Sequence, residues 1–390
     1  MDATMRKKLI LFSGVEALYF AIFAISSYQT VFLQGEGLTS AQIGVIASLS
    51  SIVGLSVSPV WGILSDRLHS AKIPFLISIC VTTVLYGMMP LLGHRARGSA
   101  VFFGIYIPVI FAFKQASNAM LDGWCIGELA PGGISYGSAR MWGSIGYCVM
   151  STLLGMSVGV LFSVRTAFLF MLPLLLVLMG ICSRLGQTTR ADAERQPRKK
   201  GTVRALLGNE RFLVYLVYSL GLNIYLGITL IFMPYILEAA GCRADQMGTV
   251  TGLRALMEII SMLLGAKLSK KIPVKRILLL PGILFGIEHL CYAQVRGLSG
   301  MFLVMVLSGL AGGFFYSLGP SYIYQIVEPE TVNTAQAFNA MDLTAVSIVG
   351  SALGGTIIRQ WGVHTLTTGC GVLILLLTAF FSFKMFQDKT

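Results

Sequence analysis

Charged side chains are scarce in this sequence: 12% of its 390 residues, against 55% that are hydrophobic. A soluble domain carries about 25% charged residues. With mean hydropathy +0.77, the chain reads as a polytopic, all-α membrane protein. Metal and disulfide chemistry are also missing. The seven cysteines are scattered singly, with no CxxC, and none of the four histidines sits in an HExxH, so no metal, disulfide framework or cofactor is expected. No Walker phosphate loop is present, which excludes ATP as an energy source. No paired catalytic aspartates and no Ser/His arrangement support an enzyme. The net charge of +12 raises the question of nucleic acid, but the basic residues lie in short loops between apolar segments. That is the pattern of membrane topology, and no nucleic-acid partner is expected. The opening Arg6, Lys7 and Lys8 precede an apolar run to about Phe32. It is too long for a signal-peptide core and reads as a retained first membrane helix.

What is present is apolar chain in lengths suited to a bilayer. Twelve segments qualify: roughly 9–33, 41–64, 73–92, 99–123, 139–162, 166–185, 210–236, 245–268, 276–294, 300–325, 335–358 and 364–386. The longest polar stretch, Gly186–Gly208, divides them. The expectation is two pseudo-symmetric six-helix bundles, 1–186 and 209–390, joined by a linker over 187–208. With the N-terminus inside, twenty Lys and Arg fall in cytoplasmic segments and six in outer loops, Arg95 and Arg97 among the six. That bias places both termini in the cytoplasm of a plasma (inner) membrane protein. The halves also repeat. Gly37, Gln42 and Gly44 match Gly241, Gln246 and Gly248, and after the next segment Gly62 and Lys72 match Gly265 and Lys275. Duplicated halves imply a site near midplane, opened alternately to each side.

Residues 114–147 carry the densest chemistry. Lys114, Asn118 and Asp122 stand four apart on one helical face, and Arg140, Ser144, Tyr147 and Ser151 share another. A carboxylate and a guanidinium are costly in lipid unless they face a wet cavity or each other. Asp122 and Arg140 therefore read as a clamp for the hydroxyls of one small polar solute; the competing reading is an ion pair that only joins two helices. Helix one offers Glu16, Tyr19, Phe20 and Phe23 on a shared face, where aromatic stacking on an apolar solute face is available.

The loop with Gly62, Asp66, Arg67 and Lys72 resembles the signature between helices two and three of the major facilitator superfamily. Residues 59–68 and 137–147 resemble, within it, the branch of lactose permease and the phenylpropionate-type permeases. The resemblance implies that Asp122 and Arg140 fall on the acid and arginine that hold sugar in that branch, and that the protein is a monomer. Ser144 and Tyr147 stand where lactose permease carries a small cysteine and a stacking tryptophan. In the loop, Gly62 is expected to permit close helix approach. Asp66, Arg67 and Lys72 are expected to form a charge network that holds one conformation, or simply to anchor the loop.

Uphill transport needs an ion, and a buried carboxylic acid can load and release a proton as its surroundings alternate between wet and dry. The candidates are Glu258 with Arg254 four residues earlier, Glu288 beside His289, and Asp342. Glu258 is the first choice, with Arg254 or His289 tuning it; a permanent Arg254–Glu258 pair is the alternative. Tyr218, Asn223, Tyr225 and Thr229, with Tyr316, Ser317 and the Gly319-Pro320 step, are candidates for a far wall. Gly155 with Gly159 and Gly350 with Gly354 read as helix-packing pairs. The expected function is proton-coupled symport of a sugar, glycoside or nucleoside. Drug or metabolite efflux by proton antiport is the alternative, disfavoured because 139–162 holds no proline.

Overall fold

The computed structural model describes residues 3–68, 70–95, 98–134, 137–186, 206–328 and 331–387. Nearly all of them are helical, as a bilayer demands, because a helix satisfies its own backbone. In chain order the helices are α1 (Ala3–Ser26), α2 (Gln29–Gly35), α3 (Ser40–Arg67), α4 (Lys72–Arg95), α5 (Ala100–Leu129), α6 (Gly137–Ser157), α7 (Val164–Leu169), α8 (Met171–Ser183), α9 (Glu210–Leu222), a π-helical turn (Tyr225–Thr229), α10 (Met233–Ala239), α11 (Met247–Leu268), α12 (Val274–Ile277), α13 (Leu279–Cys291), α14 (Gly297–Ile326), α15 (Val332–Trp361) and α16 (Val363–Gln387). Interior prolines at Pro59, Pro90, Pro108 and Pro320 leave their helices continuous.

Among the described residues ten helical segments are long and apolar enough to cross a membrane, fewer than the twelve expected. The two expected segments that fail do so for separate reasons. At 139–162, α6 carries Arg140 among small polar residues and ends at Ser157, after which Gly159 turns the chain at φ 76°. At 276–294, the chain breaks at Leu278 into α12 and α13, of 4 and 13 residues. The expected linker 187–208 lies outside the described residues except for Leu206–Gly208.

By compactness the chain forms two units, Met1–Glu194 with Asp245–Gly252, and Arg195–Ala244 with Leu253–Thr390. The sequence repeat has a structural counterpart. Gly37 and Gly241 both adopt positive φ, 92° and 79°. Each closes the short helix before it with the same pair of bonds: Gly37 N–H to Gln34 O and Leu38 N–H to Leu33 O, and Gly241 N–H to Glu238 O and Cys242 N–H to Leu237 O. This 5→2 and 6→1 pairing is a Schellman cap, and it selects glycine because a side chain resists the left-handed conformation.

Small residues set the closest helix approaches. In the first unit a Cβ on Gly146 of α6 would strike the backbone of Ala17 in α1, and one on Gly143 would strike Phe20. In the second unit Gly282 and Gly286 of α13 play this part against Thr378 and Leu375 of α16, while Gly350 and Gly354 of α15 seat Ile228 and Phe232. Gly155 abuts Gly248 and Thr249, whereas Gly159 lies beyond the end of the helix in a turn, so the two do not form a pair on one helix. Apolar side chains such as Val101, Leu176, Leu303 and Phe383 point outward, the inverse of a soluble surface and suited to lipid.

Candidate functional site

The close α1–α6 crossing brings the first polar cluster together. Because Gly143 and Gly146 remove bulk from α6, Arg140 lies directly on α1, its guanidinium 4.0 Å from the Phe20 ring centroid. Glu16, one turn before Phe20, is fully buried, and neither carboxylate oxygen has a hydrogen-bond partner among the described residues. It lies within electrostatic reach of both Arg140 and Asp122. Tyr19 interacts with the same three charges and shares a 2.8 Å hydrogen bond with Ser117 of α5. Asn118 donates to Asp122 at 3.2 Å. Glu16, Tyr19, Asn118, Asp122 and Arg140, drawn from α1, α5 and α6, thus converge.

The remaining members of this group are less central. Tyr147 is half-buried, its ring 6.4 Å from Phe23, and Ser144 is half-buried between it and Arg140. Ser151 is drawn away from the cluster: its hydroxyl donates to Gly248 O at 3.1 Å and bonds Thr251 at 2.8 Å, so it packs against the start of α11. Lys114, on the face of Asn118 and Asp122, turns toward α1 and α4. Its ammonium lies 4.5, 5.5 and 5.1 Å from the Phe23, Tyr86 and Phe111 centroids and donates to Ser26 at 2.9 Å.

The second unit holds its own charged cluster. Arg254 and Glu258 pair at 2.9 Å along α11. Arg254 is 7% exposed, stacks 4.2 Å from the Tyr225 centroid, and interacts electrostatically with Tyr316 and Glu288 as well. Tyr225 belongs to the π-helical turn, a distortion that re-aims side chains and recurs at functional sites. Glu288 is fully buried; Tyr292 donates to one of its oxygens at 2.6 Å. His289 has both ring nitrogens engaged, Nδ1 with Phe285 O and Nε2 with Thr229, each at 2.7 Å. Nδ1 donates to the carbonyl and Nε2 is matched by the hydroxyl, which makes His289 a satisfied structural residue. Asp342 accepts from Ser219 and interacts with Tyr215. Tyr218, an expected wall residue, is fully buried, stacks on Phe381 and donates to Leu278 O at 2.5 Å. Tyr225 and Tyr292 are the members that sequence reading missed or left without a partner. The Glu288–Tyr292 spacing of four was the available signal.

The loop after α3 departs from expectation. Among the described residues a Cβ on Gly62 would meet nothing within 4 Å, so no close helix approach is made there. Lys72 donates to Leu185 O at 2.6 Å and lies 5.7 Å from the Trp124 centroid, inside its own unit. Arg67 is exposed at the end of α3, and the side chain of Asp66 lies outside the described residues.

A family model described as "MFS_1 like family" matches residues 9–368. The maltose permease of Geobacillus stearothermophilus is 25% identical over 386 residues, covering 93% of this chain and 92% of that protein. The lactose permease of Klebsiella oxytoca is 21% identical over 272 residues, covering 65% and 64%. Among solved structures, the nucleoside transporter NupG superposes with TM-score 0.78 at 18% identity, covering 100% of both chains. At that identity the last likeness concerns the fold.

Proposed function

This chain belongs to the MFS_1-like family and is a multi-pass membrane protein that transports a solute, and we propose that it imports a sugar or glycoside together with a proton, by alternating access. One observation carries the reading: Glu16 and Tyr19, which are buried, and Asp122 and Arg140, which are half-buried, gather in a single cluster from helices distant in sequence. Carboxylate and guanidinium together accept from and donate to the hydroxyls of one neutral polyol, and the Phe20 and Tyr147 rings offer faces for its apolar side. The relatives' names, maltose and lactose permease, support sugar as the class. NupG keeps nucleosides in view through the fold alone.

In the proposed cycle, Glu258 is the proton carrier. It is half-buried while its partner Arg254 is almost enclosed, so water reaches the acid before the base. Protonating Glu258 frees Arg254 to turn toward Glu288, which already lies within its electrostatic reach. Deprotonation reverses the move. The wider architecture belongs to the same proposal: α6 and the α12–α13 pair also cross the bilayer, giving twelve spans in two six-helix domains, 1–186 and 209–390. The termini are cytoplasmic in the plasma membrane, and the protein works as a monomer. The two compact units and the duplicated Gly37 and Gly241 caps support this division.

The test is external pH. Maltose, lactose or a nucleoside is added to de-energised cells producing the protein. Alkalinisation of the medium upon one of these additions is the expected result. Acidification, or dye efflux that stops when the pH gradient is collapsed, overturns symport in favour of antiport.

A further inference from the structure

The second unit contains a cavity of about 750 Å³ at the ends of its helices, sharing no residue with the Arg254 cluster. The starts of α9 and α12 and the ends of α14 and α16 enclose it. Its rim carries Arg211, Lys275 and Lys384 against one acid, Glu210. Lys384 pairs with Glu210 at 2.6 Å, with side chains 35% and 73% exposed. Such an exposed pair has little net strength and exchanges readily for another anion. Lys275 has no ion pair among the described residues. Behind this rim the wall is apolar, formed by Val214, Ile326, Phe381 and Met385.

We propose that this cavity binds a phosphate-bearing anion, and that its occupant is an anionic phospholipid headgroup with the first part of its acyl chains. The shared chemistry is a phosphate oxyanion. Arg211 offers a planar fork that grips two phosphate oxygens, and Lys275 and Lys384 supply point charges. Three features favour lipid over free phosphate. The volume exceeds what a lone phosphate fills and lies in the range that takes an organic ligand. The apolar wall behind the cations has no use for an inorganic ion. The rim lies where three helices long and apolar enough to cross a membrane begin or end, and basic pockets between helices at headgroup level bind anionic lipid heads.

The experiment is thermal unfolding of the purified full-length protein in neutral detergent, titrated in parallel with short-chain phosphatidylglycerol, short-chain phosphatidylcholine and inorganic phosphate. Saturable stabilisation by phosphatidylglycerol, little by phosphatidylcholine, and an apparent Kd weakened roughly fivefold for each cation removed in Arg211→Gln and Lys275→Gln is the expected pattern. Glu210→Gln removes the competing acid and tightens binding. If inorganic phosphate stabilises as strongly and with the same dependence on Arg211 and Lys275, the anion site stands and its source is soluble phosphate. The proposal is overturned if no anion stabilises the protein, if phosphatidylcholine acts equally, or if all three variants titrate as the parent does. Should the cation variants unfold before titration, Glu210→Gln alone decides: unchanged affinity overturns the site.

Discussion

Lys114, Arg140 and Arg254 lie inside helical segments, and all three rest on aromatic faces. A ring quadrupole partly replaces the water a cation loses, worth about 0.5–2 kcal/mol depending on desolvation. The three differ in what else they meet. Arg254 has Glu258, and Arg140 has Glu16 within reach. Lys114 is held by Ser26, Tyr86 and rings, with no carboxylate in an ion pair among the described residues. Replacing an ammonium so placed with an apolar side chain of similar length is therefore expected to cost nothing: Lys114→Met should keep or raise the apparent Tm, as desolvating a charge often outweighs what it gains. A fall of several degrees in a thermal scan would show that the ammonium stabilises the fold. Arg140 predicts the opposite for function. Arg140→Lys keeps the charge but loses the flat stack on Phe20 and the two-pronged donor. Solute affinity should drop at least about tenfold, with Asp122→Asn behaving alike; parental affinity by equilibrium binding would remove both from the site.

At the scale of the element, glycines mean different things at different positions. Gly146 sits where α1 and α6 nearly touch, so a side chain there collides with Ala17 backbone. Gly146→Val should cost at least about 1–3 kcal/mol, the usual price of overpacking, and should misplace Arg140 with it. Gly62 meets open space among the described residues, so Gly62→Ala should change stability by no more than about 0.5 kcal/mol. Measuring both variants by thermal unfolding tests the assignment; a large loss at Gly62 with none at Gly146 would invert it. The two glycines look alike in sequence, each in a helix flanked by apolar and small polar residues. Only the neighbour across the interface tells them apart. The same holds for Ser151, which continues the Arg140 stripe in sequence but is captured by Gly248 and Thr251.

At the scale of the molecule, each unit has its own charged cluster, and the proposed division of labour assigns solute to the first and proton to the second. Glu258→Gln separates the two. It cannot release a proton, so uphill accumulation should vanish while exchange of solute across the membrane persists. Concentrative uptake by this variant, measured with labelled sugar in vesicles, would place the proton elsewhere, with Glu288 or Asp342 next in line. Loss of exchange as well would mean that Glu258 serves the solute directly.

Composition and pattern alone determined that this chain lives in a bilayer, that its interior charges are few, and that its halves repeat. These follow because lipid tolerates only apolar, internally bonded helices, and because a left-handed cap needs glycine at Gly37 and Gly241. The gathering of Glu16, Asp122 and Arg140 was partly legible, since helical spacing fixes which residues share a face. Which faces meet was decided only in three dimensions. Burial of Glu16, engagement of both His289 nitrogens and diversion of Lys72 to a carbonyl depend on helices remote in sequence. Periodicity gives the direction of a side chain around its own axis and carries no information about what stands opposite it.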